Sequence, residues 1–198
     1  MKSFFRACAL VCAFNLGVSL PAQDATDPAN RAAAEASAKL MTDALALRSA
    51  AAVAVANGTE QPDAAIVRLR NDASPSGLKI EADADFALAA LDVGQRLIAA
   101  GKPAEAEVFF RAAEKSLDQA VKKTPDTAVN DKVQFLSALA LLRSRYLNNA
   151  AQAKADLDAA RKLKPDDRQL ESLRDTLGKE HGEVFRERPA KDGQSAKS

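Results

Sequence analysis

The chain has 198 residues, with 28 basic side chains against 27 acidic ones and a formal charge of +1. That near balance gives no footing for nucleic acid, whose recognition wants a strong basic excess. With two cysteines, one histidine, one tyrosine and no tryptophan, the composition also argues against zinc–thiolate centres and against aromatic sugar platforms.

The first 22 residues read as an address, not as part of the fold. Lys2 and Arg6 precede an apolar run from Ala7 to Leu20, followed by the small-residue exit "LPA". This is the layout of a secretory signal peptide, with cleavage expected after Ala22. The run is too short to span a bilayer well. Cleavage would leave 26 basic against 27 acidic residues and no cysteine. Such a chain is held by its core alone, and it is expected in the periplasm or secreted. No later segment approaches transmembrane length.

The rest reads as all-α. Alanine leads a composition of helix formers, and no stretch alternates apolar and polar residues as a half-buried strand would. The spacing predicts a long helix over 28–56, opening at Asp27-Pro28 and closing at "NG". Its stripe of Leu40, Ala44, Leu47, Ala51 and Ala54 is narrow. A short helix over 62–72 follows Pro62, and "NDASPSG" is a loop. Helices are then expected over 81–100, over 103–123, over 128–148 and over 151–164. Gly101 sits at a C′ position before Pro103, and Pro125 and Pro165 act as stops. A last helix, weakened by Gly178 and Gly182, runs from "DDRQL" to Phe185. Residues 187–198 lack apolar side chains to bury and are expected to be a disordered tail.

Two stretches share a spacing. "LAALDVGQRLIAAGKPAEAEVFFRAAEK" places Gly94, Ala106, Phe110 and Ala113 at the offsets of a tetratricopeptide repeat, a family this chain resembles. A small residue lets two helix backbones approach, and the aromatic fills the wedge left open. A second copy places Ala153, Leu157, Ala160 and Pro165 likewise, with Leu141 where the first has Gly94. The match covers 87–165, within an expected helical domain of 23–186. The resemblance implies stacked antiparallel helical hairpins, an α-solenoid whose concave face takes a protein or peptide partner. The groove offsets of the family fall on Leu88, Leu91, Asp92, Gln95 and Ala99 in the first copy. In the second they fall on Phe135, Ala138, Leu142, Arg145 and Tyr146. There the leucines and Phe135 would give apolar contact, and Arg145 would clamp a carboxylate with two bonds.

Catalytic signals are weak. His181 is the single histidine and falls in line with Leu170, Leu173, Leu177 and Val184, as a half-buried structural side chain would. No serine lies in a nucleophile elbow, and no glycine-rich phosphate loop is present. Asp83 and Asp85 lack the glycine and closing glutamate of a calcium loop and read as a solvated helix start. Asp118 is placed on the outer face of its helix. The chain is therefore expected to be non-catalytic, without metal or cofactor, and to serve as a scaffold or assembly factor in the bacterial cell envelope. The alternative is a structural protein that self-associates through its alanine-rich N-terminal helix.

Overall fold

A computed structural model describes residues 28–72 and 79–185. The signal-like segment 1–22, the cap at Asp27, most of the "NDASPSG" loop and the tail 187–198 lie outside the described residues. Seven α-helices account for nearly all of what is described: α1 (Pro28–Ala56), α2 (Pro62–Asp72), α3 (Lys79–Ala99), α4 (Pro103–Lys123), α5 (Val129–Arg145), α6 (Ala150–Leu163) and α7 (Arg168–His181). A short 3₁₀ turn, Gly182–Val184, follows. Among the described residues there is no strand, and no helix is long and apolar enough to cross a membrane.

The chain forms two compact units divided after Ala50. In the first, the described part is the N-terminal stretch of α1, where Lys39 pairs with Asp43 one turn on at 2.7 Å. In the second, helices pack in sequence order: α3 against α4, α4 against α5, α5 against α6, with α7 on α5 and α6. α2 packs on α3 and α4 and buries Ala65 and Leu69.

Local chemistry sets the boundaries. α3 ends in a Schellman motif: Lys102 N–H donates to Leu97 O at 2.8 Å and Gly101 N–H to Ile98 O at 3.0 Å. The motif needs a left-handed residue at its centre, and Gly101 supplies φ +73° without a Cβ penalty. α4 then starts on Pro103, with Glu105 in its first turn and Lys122 and Lys123 in its last, each sign matching the nearby end of the helix dipole. α5 stops at Arg145, three residues short of the expected Asn148. Asn148 adopts φ +49°, and Asn149 takes over as the N-cap of α6, accepting from Gln152 N–H. Asparagine tolerates the left-handed region and caps well, so two adjacent asparagines turn the chain within one residue of each other. Asp167 caps α7, accepting from Gln169 and Leu170.

The buried face of α4 is Ala106, Phe109, Phe110, Ala113, Leu117 and Ala120, in steps of three and four. It meets Phe86, Ala90, Val93 and Leu97, the buried apolar face of α3. Further along, Val133, Leu136, Ala140, Ala153, Leu157, Ala160, Leu170, Leu177 and Phe185 form one core cluster, against which Leu141 and Leu173 pack. Two expectations change here. Val184 is exposed and Phe185 takes its place in the core, because the 3₁₀ turn after Gly182 breaks the helical phase. Asp83 is not a solvated helix start. It is buried and paired with Lys123 of α4, with Arg70 of α2 at 3.8 Å.

Candidate functional site

The first hairpin is built on a close approach. A Cβ added to Gly94 would lie 2.8 Å from Phe110 Cδ1 and 2.9 Å from Cζ, and nearer still to Cε1. The Phe110 ring therefore rests directly on the α3 backbone. The ring is also stacked on Tyr146, with ring centroids 4.5 Å apart. The Tyr146 hydroxyl in turn accepts a hydrogen bond from Gln95 Nε2 at 2.8 Å. One tyrosine at the end of α5 is thus tied to both helices of the first hairpin.

Next to it, Arg145 donates to Glu180 of α7 through Nε at 3.2 Å and an η-nitrogen at 2.7 Å. The hydrogen bond to Glu180 is the main cause that raises the Arg145 pKa above its ordinary value. Ser144, Arg145, Tyr146, Asn148, Glu180 and His181 line a shallow depression of about 420 Å³. The two-point clamp expected of Arg145 is present, but its carboxylate comes from the chain's own α7. His181 is half-buried and tilts against Phe185 at 6.1 Å.

Two residues before Arg145, Arg143 forms a charge node. Arg143 is 7% exposed and gives every edge of its guanidinium to a carboxylate. Nε donates to Glu114 at 2.7 Å. One η-nitrogen meets both oxygens of Asp156, at 2.8 and 2.7 Å. The other meets both oxygens of Asp118, at 3.0 and 2.9 Å. Burial alone would disfavour the charged guanidinium, but the bonds to Glu114 and Asp156 and the charges of Asp156 and Asp118 outweigh it and raise its pKa. Asp156 responds in the unfavourable sense. Burial pushes its carboxyl above its ordinary value even though Arg143 pulls the other way. The asymmetry is physical, since one cation is shared among three anions.

Comparison with family models, with curated proteins and with solved structures gives no match.

The expected groove residues divide into three groups. Gln95 and Arg145 are exposed, and Tyr146 is half-buried between them and Phe110. Leu88, Leu91 and Asp92 are half-buried, with Asp92 accepting from Arg96 one turn on at 3.1 Å. Phe135 and Leu142 are corrections: at 2% and 1% exposure they belong to the core and offer no apolar contact at a surface. α5 presents an apolar side chain on nearly every side, so its pattern does not say which side faces solvent. Ala99 is exposed and Ala138 half-buried.

The Arg143 node was not foreseen. Asp118, placed on an outer face, is one of its members. The sequence did carry a signal. Arginine at 143 falls one turn after Leu139, between Leu142 and Ser144, where a buried face requires a partner for any charge. Among the described residues no group of histidine, cysteine and carboxylates is placed to hold a metal ion.

Proposed function

We propose that this chain is an exported, non-catalytic helical-repeat protein resembling the tetratricopeptide family. It binds a protein or peptide partner as a scaffold or assembly factor in the bacterial cell envelope. The observation that carries this reading is the Gln95–Tyr146 hydrogen bond. It brings the C-terminal ends of α3 and α5, the first helices of the two hairpins, within side-chain reach. Asp92, Gln95, Tyr146 and Arg145 then supply a polar surface of mixed charge. Arginine and tyrosine are the residue types that most often dominate interface energetics. The Gly94–Phe110 approach in the first hairpin and the buried Ala153, Leu157 and Ala160 in the second support a repeated hairpin design.

The test is capture by crosslinking from the native envelope. The wild-type chain is compared with Arg145→Ala combined with Tyr146→Ala, once circular dichroism shows that the variant keeps its helix content. Loss of a defined partner band in the variant is the expected result. Unchanged capture removes this surface from consideration. A second reading, self-association through α1, is favoured by Leu45 and Leu47, which are 42% and 40% exposed. Sedimentation equilibrium over a range of concentrations separates it, because a partner-binding monomer keeps a constant mass.

A further inference from the structure

We propose that the Arg143 node is a proton-linked joint, in which uptake of one proton by its carboxylates tightens the packing of α4, α5 and α6. Glu114 and Asp118 come from α4, Arg143 from α5 and Asp156 from α6, so the node spans both hairpins. Three carboxylates meet one guanidinium there. Arg111 reaches Glu114 at 3.5 Å but is half-exposed and shared with Glu107, so it offsets the surplus only in part. Like charges sharing one cation repel, most strongly at buried Asp156, and a single proton relieves that repulsion while Arg143 keeps two charged partners.

Asp156 is the natural seat for the proton. It is the least exposed of the three side chains, and burial already disfavours its charged form. The groups acting on it are Arg143 from α5, Gln152 on its own helix and Asp118 from α4, while Glu114, paired with Arg111, shares Arg143 with it. On α7, Glu180 pairs with Arg145 and Glu171 with Arg161. The folded chain then binds this proton more tightly than the unfolded chain. Stability from this group therefore rises as pH falls from Asp156's raised folded midpoint towards the ordinary carboxylate value. Carboxylates that are stabilised in their charged form behave in the opposite sense.

The experiment measures urea unfolding midpoints of the full chain and of Asp156→Asn between about pH 7.5 and about pH 4.5. Contributions from the other titrating groups largely cancel in the difference between the two proteins. At the upper pH the variant is expected to be at least as stable as wild type, and wild type to gain on it steadily as pH falls. A difference that stays constant, or that moves against wild type, overturns the proposal. Should the variant not fold, ¹³C NMR of the wild-type side-chain carboxyls decides. An Asp156 midpoint above that of a free aspartate supports the joint, and one at or below it overturns it.

Discussion

Replacing Gly94 by alanine puts the packing of α3 on α4 to a direct test. In an exposed helix this change is favourable by about 0.8–1.0 kcal/mol, because alanine restricts the unfolded backbone and suits the helix. Here the new Cβ would lie within 3 Å of three atoms of the Phe110 ring. Ordinary carbon–carbon contact is about 3.5–4.0 Å, so something must move by more than half an ångström. The ring has little room to do so. It is 1% exposed and stacked on Tyr146. Overpacking of this kind costs about 1–3 kcal/mol, and the steepness of the overlap argues for the upper end. The net expectation is a loss of about 1–2 kcal/mol in urea denaturation followed by circular dichroism. Gly178→Ala is an internal control. Its Cβ would meet only Phe185 Cβ at 3.8 Å, an ordinary contact, so the propensity gain should survive and the variant should be stabilised. Trimming the ring should also rescue Gly94→Ala. In a Phe110→Leu background its penalty should shrink by about 1 kcal/mol or more, a coupling energy typical of touching residues. A Gly94→Ala protein as stable as wild type would refute the close approach and the hairpin geometry built on it.

Phe110→Ala should itself cost about 3–5 kcal/mol, the loss typical of a fully buried aromatic, read from the same urea curves. Arg143→Ala should cost a similar 3–5 kcal/mol, because it strands the buried Asp156 without its cation. Asp118→Ala removes one of three partners and is partly solvated, so about 1 kcal/mol is expected. A cost near zero would place it on the free outer face that the helical spacing alone suggests.

The helices were legible because their signals are local. Pro28, Pro62 and Pro103 begin helices where proline is already compatible with the first turn. Gly58 and Gly101 end them where only a left-handed residue closes the carbonyl pattern. The three-and-four spacing of Ala106, Phe109, Phe110, Ala113 and Leu117 named the buried face of α4 correctly, since a helix with one wide apolar stripe has one way to bury it. The pairing of Gly94 with Phe110 was readable only through the resemblance to the tetratricopeptide repeat, whose offsets set a small residue against an aromatic. α5 was harder. Phe135, Leu136, Leu139 and Leu142 crowd its surface, so periodicity gave no single face, and Phe135 and Leu142, expected at a groove, are buried in the core. The long-range charge partners were beyond the sequence. Arg143 finds Glu114, Asp118 and Asp156 at separations of 29, 25 and 13 residues, and Arg145 finds Glu180 at 35. Such pairs depend on how neighbouring helices are rotated and offset. Local propensity sets where each helix begins and ends, whereas rotation and offset are set by the fit of side-chain volumes across interfaces, and that fit exists only in the folded chain.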